Sequence, residues 1–299
     1  MVKILDGRVV RDNLAQNLKE KIARLKAKPK LAIIQVGNLA ESTAYIKQKK
    51  AFGVSIGASV EHLQFESTVE EKDLLLKIAS LNQDKSVHGI IIQLPLPENL
   101  NRGKLIEAIA PEKDVDGLTS RNVKALEAGN SSGLIPATAK GIMTLLDYYK
   151  IPVLGKRVVV VGRSNLVGKP TALALLNRGA TVTVAHSQTP NLPQVTKLAE
   201  ILIVAIGKPK FINAEYVSKG QVVIDVGINA PKKLDEEIPG KKLVGDVDFE
   251  SVSKIVSAIS PVPGGVGPMT VVSLFENLIL AYIQGSTLDR KKGRTLDVP

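Results

Sequence analysis

Tyr45 and Lys49 stand four residues apart in "STAYIKQKKAF", residues 42–52. On a helix that spacing puts both side chains on one face, so that a phenol and an ammonium can converge on one substrate atom. Such a pair is equipped to move protons. Two residues of a solvated, lysine-rich helix would give the same pattern, and the segment alone leaves both readings open.

A second constellation is Gly162-Arg163-Ser164-Asn165-Leu166-Val167-Gly168, placed where an apolar run turns into a helix. Glycine there lets a pyrophosphate approach the helix N-terminus and its free N–H groups. The spacing differs from G-x-G-x-x-G, so a purely structural tight turn is the rival reading; the strand-turn-helix-strand context favours a dinucleotide. An NAD site wants Asp or Glu about 20 residues further on for the ribose 2′-hydroxyl. Between Gly162 and Glu200 there is no acidic residue, while Arg163 and Ser187 can meet a 2′-phosphate, so the cofactor is read as NADP. A Tyr-x-x-x-Lys pair also marks short-chain dehydrogenases, but there it follows the glycine turn. Here Tyr45 precedes Gly162 by 117 residues, which argues against that class.

Three further segments carry chemistry-bearing residues. Gln93 closes "GIIIQLPLP", and ligands of open α/β sheets bind beyond the carboxyl ends of strands. "PEKDVDGLTSRN" carries Asp114 and Asp116 in a turn, where capping of the loop is the rival role. "SPVPGGVGPMT" has three glycines and three prolines in eleven residues ahead of a helix, and reads either as a pocket floor or as a connector.

Composition narrows the chemistry. The chain has 299 residues, no cysteine and three histidines spread along its length, so neither a thiolate nucleophile nor a cysteine- or histidine-rich metal site is expected. The formal charge is +11, and residues 1–50 hold twelve Lys/Arg against four Asp/Glu. That balance suits an anionic partner such as a polycarboxylate metabolite, or is simply a solvated surface. Aromatic residues are only 3% of the chain, which leaves few rings for stacking on bases, so nucleic acid is not the expected partner. No apolar leader and no run of about 18 apolar residues is present, so a soluble, cytoplasmic protein without membrane attachment is expected.

The elements that must position these residues follow from periodicity. Val10, Leu14, Leu18, Ile22 and Leu25 mark an amphipathic helix. "LAIIQVG", "ASVEHLQF" and "VHGIIIQLPLP" read as strands, separated by the Tyr45 helix and by "TVEEKDLLLKIASLNQD", which reads as a helix capped by Thr68. Further on, 158–161 and 181–185 read as strands flanking a helix over 166–177, with more strands in "AEILIVAIG" and "GQVVIDVGIN". Strands alternating with helices predict an α/β fold with parallel sheets. Its length calls for two domains. The Gly/Ser-rich stretch 127–133 is the boundary candidate, giving an N-terminal α/β catalytic lobe over 1–140 and a Rossmann-like NADP-binding domain over 141–268, with the last helix (within 269–299) returning to the first lobe. The final "STLDRKKGRTLDVP" reads as a polar tail.

Taken together, "YIKQKK", "GIIIQLPLP", "DVDGL", "VVGRSNLVGKP", "VIDVGIN", "VGDV" and "SPVPGGVGPMTV" resemble the bifunctional methylenetetrahydrofolate dehydrogenase/cyclohydrolase family over nearly the whole chain. The chain departs at Pro136-Ala137-Thr138-Ala139, where many relatives read Pro-Cys-Thr-Pro, and at Ala51, where some have cysteine. The resemblance implies that Tyr45, Lys49, Gln93 and Asp116 form the site for tetrahydrofolate derivatives, with Lys49 catalytic. It implies that Pro263, Gly264 and Gly265 line that site, and that Gly162, Arg163, Ser164, Val167, Ser187, Ile228 and Thr270 contact NADP. It implies a metal-free oxidation of 5,10-methylenetetrahydrofolate and hydrolysis of the methenyl product, serving one-carbon metabolism and purine biosynthesis, in a homodimer. Lys47, Lys50 and partial burial are expected to lower the pKa of Lys49, and Gln93 to hold it in place. A relative that has lost one activity, or a basic nucleic-acid-binding protein with a remnant nucleotide fold, are the alternatives.

Overall fold

The computed structural model describes residues 1–130, 132–229 and 243–293, with side chains of the last helix as far as Ser286. All of the polar tail after Ser286 lies outside the residues whose side chains are described. The chain divides into two compact units, Met1–Asp12 with Thr138–Thr270, and Asn13–Ala137 with Val271–Pro299.

In the unit that carries Tyr45, three parallel strands run in the order Ser59–Phe65, Lys30–Val36, Gly89–Ile92. The central strand is buried almost throughout, as a Leu-Ala-Ile-Ile run covered on both faces must be. The last helix, Val266–Gly293, threads this core from Val271 onward: Val272, Phe275 and Leu278 are wholly buried beside Leu31, Ile33 and Ile56. Its stretch Val266–Ser286 reaches a mean hydropathy of 1.5, enough by length and composition to cross a membrane, but 67% of it is buried inside the protein. That is the pattern of a core helix. The helix Ala40–Ser55 lies against the same core through Ile46 and Gly53, and a Cβ at Gly53 would come within 2.6 Å of Phe275 and Val60.

The other unit holds a six-stranded sheet, in order Lys3–Ile4, Ala258–Ile259, Val222–Asp225, Ile201–Val204, Arg157–Val161, Thr181–Ala185, with every pairing parallel. Val161 pairs with both Ala185 and Val204, and Val204 with Asp225. The strands therefore end level, and Gly162, His186, Ala205 and Val226 emerge at one edge. That is the edge at which open parallel sheets bind ligands.

The structure differs from the sequence reading in three places. Met1–Asp12 sits in the unit with the six-stranded sheet, because Lys3–Ile4 pairs with Ala258–Ile259 and Gly7 N–H donates to Gly264 O at 2.8 Å. The stretch 127–133 is a loop inside one unit, and the chain passes between units at Ala137/Thr138, at the start of the helix Ala137–Tyr148. Thr68 caps nothing: the helix begins at Glu71, with Glu70 at the cap position and no side-chain bond there.

Candidate active site and dinucleotide cavity

The helix Ala40–Ser55 presents Tyr45 and Lys49 one turn apart, both partly buried. Lys49 Nζ donates to Gln93 Oε1 at 2.9 Å, and Gln93 Nε2 donates to Leu94 O at 2.8 Å. Gln93 is itself held in line with the sheet, its backbone N–H donating to Ile34 O at 2.8 Å. The amide thus has one oxygen to offer and offers it to the ammonium.

Burial is the main influence on Lys49 and pushes its pKa below the ordinary lysine value, since taking an ammonium out of water favours the neutral amine; the charge of Asp116 opposes this. Lys47 and Lys50 do not contribute, contrary to the sequence expectation. At 100° per residue they point away from Lys49 around the helix, and Lys50 acts on His62 instead. Asp116 is the counterpart: burial lifts its carboxyl to about 6, with Lys49 pulling it down and Asp114 pushing it up. The Tyr45 hydroxyl is buried with no hydrogen-bond partner, and its pKa is raised by burial and then by Glu41. A buried unpaired hydroxyl costs about 1–3 kcal/mol, and Tyr45 shares that state with Thr119, Thr171 and Ser273.

The loop between the helices Arg102–Glu107 and Ser120–Glu127 is built by Asp114, not Asp116. Asp114 accepts the N–H groups of Gly117 at 2.9 Å and Thr119 at 2.7 Å, and Asn122 Nδ2 at 2.9 Å. From the last helix, Asn277 Nδ2 donates to Val115 O at 2.9 Å and Ile135 O at 2.8 Å. Asp116 joins this frame only through its backbone, accepting from Ala137 N at 3.1 Å. Its carboxylate makes no hydrogen bond among the described residues.

In the other unit a cavity of about 390 Å³ opens at the level ends of the strands, and Gly162, Arg163, Ser164 and Ser187 all line it. Gly162 has φ +125° and sits so close to Ala205 O that a Cβ would overlap it, and Gly168 packs as closely on Gly162 O. Only glycine allows these approaches. Ser164 Oγ accepts the N–H groups of Val167 at 3.2 Å and Gly168 at 3.3 Å, capping the helix Gly168–Leu176. Arg163 and Ser187 make no side-chain hydrogen bond among the described residues. The close glycine backbone, the cations Arg163 and Lys208 and the lack of a carboxylate among the described residues of its lining fit a phosphorylated dinucleotide.

Val167, Ile228 and Thr270 do not line this cavity. Ile228 is 42% exposed and lies near Gly267, in the first turn of the last helix, and Thr270 Oγ1 bonds back to Val266 O at 3.4 Å. Pro263, Gly264 and Gly265 belong to this unit too: Gly265 N–H donates to Pro261 O at 2.7 Å, and Arg8 Nη2 to Pro263 O at 3.2 Å. Sequence reasoning missed Lys208 and Phe211 as cavity residues. The available signal was a strand ending in glycine then lysine, "IVAIGKP", parallel to "VVVVGRS".

Comparison with known proteins gives the family. Residues 5–116 match the model of the tetrahydrofolate dehydrogenase/cyclohydrolase catalytic domain, and residues 136–285 that of the NAD(P)-binding domain of the same family. The chain is 48% identical over 279 residues to the bifunctional protein FolD of Ligilactobacillus salivarius, covering 92% of this chain and 95% of that one. It is 41% identical over 302 residues to the cytoplasmic C-1-tetrahydrofolate synthase of Schizosaccharomyces pombe, covering 99% of this chain and 32% of that protein. Among solved structures, the bifunctional FolD enzyme of Campylobacter jejuni superposes with a TM-score of 0.90 at 41% identity, covering 95% of this chain and 99% of that one. The Trypanosoma brucei enzyme, complexed with NADP cofactor and inhibitor, gives 0.89 at 34% identity, covering 95% and 98%.

Proposed function

The chain belongs to the tetrahydrofolate dehydrogenase/cyclohydrolase family, and from that premise we propose that it oxidises 5,10-methylenetetrahydrofolate with NADP⁺ and hydrolyses the methenyl product to 10-formyltetrahydrofolate. The observation that best supports it is the bond from Lys49 Nζ to Gln93 Oε1 at 2.9 Å beside the unpartnered Tyr45 hydroxyl.

The dinucleotide, when bound, supplies the acceptor for the hydride that leaves the methylene carbon. Gly162, Arg163, Ser164 and Ser187 hold it, with Arg163 and Ser187 directed to the 2′-phosphate; Val167, Ile228 and Thr270, which lie outside the cavity lining, are assigned to it by the family resemblance alone. Asp116 binds the amino edge of the pterin, as an ionised carboxylate meeting N–H donors. Tyr45 gives its hydroxyl to the folate, and Pro263, Gly264 and Gly265 line the substrate. The oxidation asks chiefly for alignment of donor and acceptor carbons.

Hydrolysis asks for proton movement. Water adds to the cationic methenyl carbon and loses a proton; the carbon–N5 bond then breaks as N5 takes a proton, and the added hydroxyl loses its remaining proton to solvent, leaving the formyl group on N10. Lys49, shifted by burial toward the neutral amine, accepts the proton of the attacking water and returns one to N5. Gln93 orients the amine so that its lone pair faces the water. Neither step requires a metal, and no group of three or more His, Cys, Asp or Glu able to hold one is found among the described residues.

The cytoplasm is the proposed location, supported by the cytoplasmic name of the Schizosaccharomyces pombe relative. Supply of formyl groups to purine biosynthesis and a homodimeric state rest on the family resemblance, and neither nucleic acid nor membrane enters the proposal. An absorbance assay on methylenetetrahydrofolate, run with NADP⁺ and with NAD⁺, tests it: reduced NADP should form and the methenyl compound rise and decay. An enzyme that forms no reduced dinucleotide would sink it.

A further inference from the structure

Two buried carboxylates of the six-stranded unit have no part in the chemistry above. Asp246 is wholly buried, and both its oxygens are used. Oδ2 accepts the N–H groups of Ile206 at 2.7 Å and Gly207 at 2.9 Å, and Oδ1 accepts Asn229 Nδ2 at 2.9 Å. Asp225 braces it from behind, accepting the N–H groups of Asp246, Val247 and Gly227 at 3.0 Å each. Gly227 packs so closely on Asp246 that a Cβ would overlap the carboxyl group. A side chain this buried, spending charge-assisted bonds on two successive backbone donors, fixes a turn rather than a surface.

That turn leads straight into Lys208. Gly207 has φ +66°, a conformation that favours glycine, and the residue after it lines the same 390 Å³ cavity as Arg163 and Ser187. The Lys208 ammonium stands 5.4 Å from the centre of the Phe211 ring, a contact that limits where it can swing. Among the described residues that line the cavity, Arg163 and Lys208 are the only Lys or Arg. A 2′-phosphate carries between one and two negative charges near neutral pH, by analogy with other phosphate monoesters. One guanidinium leaves part of that charge unmatched, whereas the pyrophosphate has the glycine turn and helix N-terminus to itself.

Resting on the dinucleotide reading above, we infer that Lys208 is a second cation for the cofactor's 2′-phosphate, and that Asp246 is the positioning residue that presents it. The test is equilibrium binding by calorimetry of NADP⁺, NAD⁺ and adenosine 2′,5′-bisphosphate to the full chain. Lys208→Gln should weaken NADP⁺ and the bisphosphate roughly tenfold, the worth of one charged hydrogen bond at an exposed site, and make their binding less salt-dependent, with NAD⁺ within about twofold. Asp246→Asn should show the same split, and the double variant should bind NADP⁺ no more weakly than Asp246→Asn alone, because the two act as a unit. Gly207→Ala, which strains the turn while leaving Asp246 intact, should favour NAD⁺ in the same sense and serves if Asp246→Asn fails to fold.

Unchanged NADP⁺ binding in Lys208→Gln overturns the inference while the dinucleotide reading stands. Equal losses for NADP⁺ and NAD⁺ move Lys208 to the pyrophosphate and overturn it as well. Strictly additive losses, or a Gly207→Ala chain that binds like the parent, remove Asp246 from the role. A parent chain that binds neither NADP⁺ nor the bisphosphate overturns this inference and the dinucleotide reading together.

Discussion

Asp114 and Asp116 stand two residues apart in one loop, yet Asp114 spends its carboxylate on two backbone N–H groups and Asn122, while Asp116 makes no side-chain hydrogen bond among the described residues. The two should therefore fail differently. Asp114→Ala leaves buried N–H groups unpaired and should cost about 2–4 kcal/mol of stability. Asp116→Asn removes a charge that burial disfavours, so stability near neutral pH should hold or rise, while folate binding weakens in both reactions and NADP⁺ affinity stays nearly intact. Thermal melts beside separate titrations of the two ligands check this. An Asp116→Asn enzyme with parental folate binding would make Asp116 a turn former only.

The same carboxyl predicts a pH limb. Its pKa of about 6 lies above the ordinary aspartate value, so it gains its proton as pH falls through that point and loses the charge that would meet the pterin. For an acid raised on folding, the contribution to stability runs the other way, being present below the unfolded pKa and lost as pH rises through about 6. Folate kcat/KM should therefore fall below pH about 6 while the fold does not weaken on this group's account. In Asp116→Asn that limb should flatten. A profile of unchanged shape assigns the limb to another group.

Tyr45→Phe removes a buried hydroxyl that has no partner. Stability should stay level or rise by up to about 1 kcal/mol, whereas folate affinity should fall by about 0.5–1.5 kcal/mol, the net worth of one hydrogen bond. Loss of stability together with unchanged folate binding would show that the hydroxyl serves the fold.

Arg163→Ala should weaken NADP⁺ by about 1.5–3 kcal/mol and NAD⁺ far less, because only NADP⁺ offers the 2′-phosphate. Equal losses would remove Arg163 from that contact.

Much of this arrangement was legible in the residues. Runs such as "KRVVVVG" are too apolar for a half-exposed strand and imply a parallel sheet covered on both faces, as Arg157–Val161 turned out to be. Tyr45 and Lys49 shared a helix face by spacing alone. What escaped was non-local. Lys3–Ile4 is a strand of two exposed residues, defined only by its pairing with Ala258–Ile259 across the length of the chain. The passage from one unit to the other falls at the head of a helix, Ala137–Tyr148, where composition leaves no mark, while the Gly/Ser-rich stretch 127–133 signals only a loop. Asp225 and Asp246 read as fragments of two apolar motifs; that one braces the other follows from tertiary packing, which periodicity does not encode.

The central claim is that Lys49 moves protons, and Lys49→Met tests it most directly, because methionine keeps an unbranched apolar stem and carries no exchangeable proton. The measurement is hydrolysis of methenyltetrahydrofolate by purified Lys49→Met, with Lys50→Met as control and thermal unfolding to confirm that each variant folds. The account predicts a fall of roughly 10²–10⁴-fold in Lys49→Met, the usual worth of a positioned acid or base, with a smaller loss in hydride transfer, so that the methenyl compound accumulates. Lys50→Met should hydrolyse it like the parent. Hydrolysis by folded Lys49→Met at the parental rate would contradict the account and leave Lys49 a partly buried lysine that holds Gln93.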